Sequence, residues 1–305
     1  MKKMANNYLK GIDISEFNGD IDFMKVKDEV DFIMIRATFG RFGIDNKFEQ
    51  NVKGCITHNI PFGLYFYSYA TDEEKGIEET KFFLERIKPY KDKITFPCVI
   101  DMEDSDSYKQ NHGNPSKEIL TNICVKACEL IKQERLIACV YANKDWFQNR
   151  IDKAKLTSCY LWLAWWNNDL EATINKFGKE FSLVQYTSKG QIKGIKGFVD
   201  MNYSLVDFIK AKQYLENISK INFIKLQTGL EDITIQFLSC YKFGQDLINK
   251  IYERLLKEKS VRKDNPKMEK EVQKEYGFET KTIIFLSNYL YGEELITKLY
   301  LACTK

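Results

Sequence analysis

The chain of 305 residues carries 46 Lys and Arg against 43 Asp and Glu, a net charge of +3, which excludes the basic excess of a dedicated nucleic-acid binder. Its 44% hydrophobic and 14% aromatic content supports a substantial core, and its length suits one large domain plus a smaller one. The opening MKKMANNYLKGIDIS starts like a signal peptide but has no apolar h-region, and no run of about 18 apolar residues occurs anywhere, so neither a cleaved leader nor membrane insertion is expected.

In chain order, a strand-like Gly11–Ile14 is followed by a strand at Phe32–Arg36, a helix near Phe48–His58 and a strand at Phe62–Tyr67. A helix over Asp72–Ile87, a strand at Cys98–Met102, a helix over Pro115–Glu134 and a strand at Ile137–Ala142 come next. Asn114 is placed to cap the third helix, with Pro115 at its first position. Alternation of this kind predicts a parallel sheet with covering helices. Leu161–Trp165, Leu183–Tyr186 and Phe198–Asn202 then read as three strands with little helix between them. Eight strands can close a barrel and bring the first beside the eighth.

From about Phe208 the character changes. Residues 211–228 read as a linker with a helical start, and 229–305 as a small all-α module. Thr234–Tyr252 (TIQFLSCYKFGQDLINKIY) matches Thr282–Tyr300 (TIIFLSNYLYGEELITKLY) at a spacing of 48 residues, with eleven of nineteen positions identical. The apolar positions recur at i, i+3, i+4, so each copy is an amphipathic helical unit, with Gly244 and Gly292 marking a turn inside it. Each copy has one apolar face to cover, either with the other copy or with a second chain in a homodimer. The 8 cysteines include no C-x-x-C pair and read as reduced core thiols.

Four carboxylates fall at the downstream ends of strand-like stretches: Asp13 in GIDIS, Asp101 and Glu103 in VIDMED, and Asp200 in GFVDMN. In a barrel of parallel strands those ends share one rim, where the catalytic loops lie. Asp13 and Asp200 would be neighbours there, with Asp101 and Glu103 facing them across the mouth. The two-residue spacing of Asp101 and Glu103 puts both on one face of a strand. Two carboxyls on one face cannot both ionise freely, so one proton is held more tightly and is available to a leaving glycosidic oxygen.

Beyond these residues, the segments GIDISEFNGDIDF, FIMIRATFG, PFGLYFY, PCVIDMED, VYANKDWF, LWLAWW and VQYTSKGQIKGIKGFVDMNY occur in an order that resembles family 25 glycoside hydrolases, the Chalaropsis-type lysozymes of phage endolysins and bacterial autolysins. The resemblance covers Lys10 to about Phe208. It implies a flattened TIM-like (β/α)5β3 barrel over residues 1–210, and cleavage of the β-1,4 bond between N-acetylmuramic acid and N-acetylglucosamine in bacterial peptidoglycan. It implies no cofactor and no metal. Glu103 would be the general acid/base. Asp101 would stabilise the oxocarbenium-like centre or assist the substrate acetamido group, and Asp13 and Asp200 would complete the acidic pocket. Tyr65, Tyr141, Trp166, Gln185 and Tyr186 would line the sugar cleft, and Arg36 stands where a basic residue is usual. The lack of an export signal would fit an endolysin made in the host cytoplasm that reaches the wall after release; a bacterial autolysin is the alternative. Phe39 stands where many members carry Glu, and Phe66 where many carry His, which touches fine specificity more than the D-x-E pair.

Two other ways of cutting the wall leave weaker traces. A zinc amidase needs a histidine cluster, and the chain has 2 histidines, His58 and His112, with no H-x-x-x-H. A cysteine peptidase would need a pairing such as Cys55 with His112, which follows no local signature. A barrel that binds wall glycan without hydrolysing it is the rival from another class, and the intact D-x-E argues against it.

Overall fold

The computed structural model describes residues 8–156, 159–167, 173, 176, 180–230, 244–256, 268–279, 282 and 292–303. The chain divides into two compact units, residues 1–212 and 213–305. In the first unit the strands are β1 (Leu9–Ile14), β2 (Phe32–Phe39), β3 (Gly43–Ile44), β4 (Phe62–Tyr67), β5 (Cys98–Asp101), β6 (Ala138–Asn143), β7 (Tyr160–Ala164), β8 (Leu183–Gly190) and β9 (Val199–Ser204). The helices among them are α1 (Phe23–Val26), α2 (Phe48–Thr57), α3 (Glu73–Ile87), α4 (Tyr108–Asn111) and α5 (Lys117–Gln133). Eight strands close on themselves in the order β1-β9-β8-β7-β6-β5-β4-β2, with β1 pairing β2, while β3 folds back on β2 alone. The result is a closed mixed barrel of the α/β class.

One strand direction departs from expectation. β1, β2 and β4 to β8 run parallel, but β9 is antiparallel to both β1 and β8. Asp200 therefore lies near the start of its strand and not at its downstream end. It reaches the same rim as Asp13 because the strand runs the other way, and Asp13 and Asp200 are direct register partners.

The barrel wall sorts its residues by the two-residue period of a strand. Phe32 and Met34 of β2, Val99 of β5, Cys139 and Tyr141 of β6 and Trp162 of β7 belong to one buried cluster. Their neighbours Ile33, Ile35, Ile100, Ala138, Val140, Leu161 and Leu163 belong to a second cluster that includes helix residues Phe48, Val52, Phe83 and Leu120. Two glycines are required inside. A Cβ at Gly11 would run into the Phe32 ring, and one at Gly63 would meet the Pro97 carbonyl and the Met34 side chain. Phe32 cannot swing away, since it is fully buried and stacked on Phe96 with ring centroids 4.4 Å apart.

The helices start where local chemistry allows. Asp72 accepts from the Lys75 N–H at 2.9 Å and opens α3. For α5 the cap is Ser116, which accepts from the Ile119 N–H at 3.3 Å, and not Asn114. Asn114 instead takes a positive φ of 40° and accepts from Arg150 at 2.8 Å, so Pro115 precedes the cap and is not the first helical residue. Buried Leu120, Ile123, Cys124, Ala127, Cys128 and Ile131 form the stripe that α5 lays on the barrel.

A helix α6 (Phe208–Thr228) contains the whole segment read as a linker. The second unit further contains α7 (Gly244–Leu256), α8 (Met268–Tyr276) and α9 (Gly292–Cys303). Gly244 and Gly292 are the first residues of the described helices of the two repeats; the first halves of both copies, 234–243 and 283–291, lie outside the described residues. Equivalent positions of the copies are buried alike: Leu247 with Leu295, Ile248 with Ile296, and Ile251 with Leu299. All six share one cluster with Val272, Tyr276 and Phe278, so this face is covered within the chain. Among the described residues no helix is long and apolar enough to cross a membrane. The seven described cysteines are free, and all but Cys159 are buried.

Candidate active site

The strand ends of the barrel surround a cleft of about 200 Å³ lined by Asp13, Arg36, Tyr65, Asp101, Glu103, Tyr141, Gln185 and Asp200, together with Ser15, Phe17, Tyr67, Ser105 and Trp162. All four carboxylates anticipated from the sequence are therefore brought together. Asp101 is the last residue of β5 and is 6% exposed. Glu103 lies just past the strand end. The Met102 N–H still donates to the Tyr141 carbonyl at 2.9 Å, so the chain stays extended and the alternation carries through to Glu103.

Asp13 sits in a frame of amides. Gln185 Nε2 donates to Asp13 Oδ2 at 3.0 Å and Asn202 Nδ2 at 2.7 Å. The amides are themselves aimed: Tyr141 OH donates to Gln185 Oε1 at 3.1 Å, Trp166 Nε1 to the same oxygen at 2.9 Å, and Trp162 Nε1 to Asn202 Oδ1 at 2.9 Å. Burial raises the Asp13 carboxyl, while the bonds from Asn202, Gln185 and Asp200 work against that rise. Burial first, then the charge of Asp13 and a hydrogen bond with it, pushes Asp200 up to about 8. Asp200 thus keeps its proton at neutral pH and shares it with Asp13.

The second pair is also enclosed. Burial pushes Glu103 up to about 7; Lys109 pulls it down, and Asp13, Asp106 and Asp104 add to the rise. Asp101 is held well above the usual carboxylate range by burial first and the nearby Glu103 second, with Lys109 and Arg36 opposing. The Asp101–Glu103 pair therefore retains a proton at neutral pH as a unit. Asp101 Oδ1 is buried without a hydrogen-bond partner among the described residues.

Arg36 lines the cleft but is already committed. Its Nε donates to Asp45 Oδ2 and a terminal nitrogen to Glu16 Oε1, both at 2.8 Å. Its guanidinium lies 4.8 Å from the centroid of Phe17, a ring 82% exposed at the mouth, and 5.4 Å from that of Phe39. Phe39, where acidic residues are common in the resembled family, thus packs on the cation. Trp166 stands outside the lining set, 62% exposed and tied to it through Gln185. Tyr186 is not brought into the cleft. It faces away from Gln185 on β8, packs on the outer core, and lies tilted against Tyr203 with ring centroids 4.9 Å apart. Tyr67 and Trp162, which line the cleft, and Asn202, which holds Asp13, lie at period two from Tyr65, Trp166 and Asp200, and that spacing is the signal in the sequence that marks them.

The rival constellations do not assemble. Cys55 is fully buried on α2, with burial pushing its thiol up, and His112 is exposed and stacked on Tyr108 at 3.9 Å. Among the described residues no group of three or more His, Cys, Asp or Glu is arranged to hold a metal ion.

Residues 12–195 match the family model described as Glycosyl hydrolases family 25. The autolytic lysozyme of Clostridium acetobutylicum is 26% identical over 197 residues, which cover 64% of this chain and 55% of that protein. The modular autolysin LytC from Streptococcus pneumoniae, solved in complex with a synthetic peptidoglycan ligand, is similar at a TM-score of 0.56 and 29% identity, over 65% of this chain and 46% of that one. A family 25 glycosyl hydrolase from Bacillus anthracis shares the fold at a TM-score of 0.57 and 21% identity, over 70% of this chain and 95% of that one. The chain spans about half the length of the two autolytic relatives. With its barrel strands, its four rim carboxylates and the matched segment coinciding, the chain belongs to glycosyl hydrolase family 25.

Proposed function

We propose that this protein is a lysozyme-type peptidoglycan hydrolase, an N-acetylmuramidase that cuts the β-1,4 bond between N-acetylmuramic acid and N-acetylglucosamine. The observation that carries the reading is the enclosed Asp101–Glu103 pair at the wall of an open cleft, in which burial pushes Glu103 up to about 7. Glu103, the less buried of the two, donates that proton to the glycosidic oxygen as the C–O bond breaks. Positive charge then grows at the anomeric carbon, and Asp101 or the substrate's acetamido oxygen stabilises it. The ionised Glu103 accepts a proton from the incoming water. The Asp13–Asp200 pair, fixed by Gln185 and Asn202, orients the sugar at the reacting position. Support also comes from the 29% identity to LytC, whose structure holds a peptidoglycan ligand. Since the substrate lies outside the cytoplasmic membrane, the protein acts after it leaves the cytoplasm.

Digestion of purified walls should release soluble fragments whose new reducing ends are muramic acid, read by mass spectrometry after borohydride reduction. Glucosamine at the reducing ends, or free amino groups alone, would show that another bond is cut.

For the second unit the reading is a small all-α module, attached to a (β/α)5β3 barrel, that delivers it to the wall. It is supported by the duplicated segment, which hydrolysis does not need. The shared cluster of both copies favours a self-contained unit over a dimer that pairs through this face. Light scattering of the full chain should give a mass near 35.9 kDa. Twice that mass would favour the second chain as the cover.

A further inference from the structure

We propose that Lys109 is a positioning residue: its enclosed ammonium fixes the main chain of Glu103 and holds a positive field beneath the Asp101–Glu103 carboxyls. The proposal rests on the reading of Glu103 as proton donor. Lys109 is not among the residues lining the cleft, and it lies on the short helix α4, whose sequence neighbours are polar and exposed or half-exposed. Yet it is 0% exposed. A lysine is rarely enclosed without a specific set of partners, because its charge loses water on burial.

The partners are present and they point at the site. Lys109 Nζ donates to the Glu103 carbonyl at 2.7 Å and also to the Ser68 carbonyl. At the other end of the loop, Asp104 accepts from the Lys109 N–H at 2.7 Å and from the Gln110 N–H at 2.9 Å. The segment from Glu103 to Lys109 is thus closed on itself by one side chain in each direction. Ser68 connects it to β4, since the Ser68 N–H donates to the Asp101 carbonyl at 3.0 Å. The rings of Tyr67, Tyr69 and Trp146 lie 5.5, 6.0 and 5.9 Å from the ammonium and exclude water from it.

The charge is balanced from two sides. From α3 comes Glu79, 1% exposed, which accepts from Ser68 Oγ at 2.6 Å and from the Tyr69 N–H at 3.1 Å. From the end of β5 comes Asp101, and from the loop after it Asp104. Burial lowers the Lys109 ammonium, while Asp101, Glu79 and Asp104 hold it charged. The groups that act on Glu103 in turn are Lys109, Asp13, Asp106 and Asp104, with Asp200, Tyr67 and Tyr141 also facing it. Those on Asp101 are Glu103, Lys109, Asp13 and Arg36. Only Lys109 and Arg36 in this set are cations, and Arg36 is already paired with Glu16 and Asp45. Lys109 is therefore the main positive charge that offsets the Asp101 and Glu103 carboxyls.

The test is the titration of the Glu103 carboxyl carbon by NMR in the full chain, with its resonance identified through Glu103→Gln. In Lys109→Met, which keeps the length of the side chain, the Glu103 midpoint should rise by about one pH unit, and the pH–rate profile should move alkaline with it. Lys109→Gln removes the charge and keeps an amide that can still donate to the Ser68 and Glu103 carbonyls. It carries the same expectation and decides the matter if the Met variant does not fold. A midpoint that stays or falls overturns the proposal, since a purely structural lysine would lower turnover without moving either titration. Wild-type protein that digests no wall would refute the hydrolase reading alone, because the NMR midpoint reports the field of Lys109 whether or not the bond is cut.

Discussion

Glu103→Gln is expected to lower wall-clearing turnover by roughly 10²–10⁴-fold while leaving the fold intact. Gln keeps the shape of the side chain but cannot hand over a proton. The same substitution should also change stability in a pH-dependent way. Glu103 titrates near 7 in the folded protein, above the ordinary carboxylate range, so the folded state binds this proton more tightly than the unfolded state does. That contribution is complete below the ordinary pKa of about 4.3 and is lost as pH rises towards 7. The variant should therefore melt at a higher temperature than wild type at pH 8 and at nearly the same temperature at pH 4. Thermal scans at the two pH values read this directly. Wild-type activity should fall as pH rises through about 7, where Glu103 gives up the proton that the reaction needs. Near-normal clearing by the Gln variant would remove Glu103 from the mechanism, and equal melting shifts at both pH values would refute the raised titration.

Trp162→Ala should be the most damaging single change to the barrel, at about 3–5 kcal/mol out of a total that for most domains is only ~5–15 kcal/mol. Trp162 is 2% exposed and lies edge-on to Tyr141 and Tyr65, with ring centroids 4.8 and 6.2 Å away. Its removal opens a void in the wall of the cleft, and it also frees Asn202, whose amide then loses the bond that aims it at Asp13. Trp162→Phe keeps most of the volume and removes the N–H donor, so it should cost about 1–3 kcal/mol. Urea unfolding followed by far-UV circular dichroism measures both. If the Ala variant costs no more than the Phe variant, the ring is not filling the barrel as described.

The Asp101–Glu103 pair of the candidate site was legible because its spacing is local. Asp101 and Glu103 lie two apart on an extended chain, and an extended chain puts alternate side chains on one face wherever it goes. The same rule placed Gln185 inside the barrel, and applied strictly it would have turned Tyr186 outwards, where the structure has it. The strands and three long helices were legible for the same kind of reason, since apolar period and turn chemistry are written within a dozen residues. The start of α5 shows the limit of that reading: Asn114, Pro115 and Ser116 are all suited to a helix N-terminus, and the bond from Arg150 to Asn114, made from 36 residues away, helped settle which one caps.

What only the tertiary structure decided is direction and enclosure. Nothing within GFVDMN says that its strand runs against its neighbours, because a strand's own pattern is the same in either sense; the closure of β9 between β1 and β8 sets it, and with it the place of Asp200 beside Asp13. Lys109 reads in the sequence as one more charged residue in a polar loop. Its burial is made tolerable by groups just upstream at the end of β5 and by the Ser68 carbonyl after β4 and Glu79 of α3, which are distant in sequence and adjacent only in the folded barrel. Side-chain type and spacing are properties of the chain, whereas the desolvation that raises Glu103 and the charge that restrains it are properties of what folds around it.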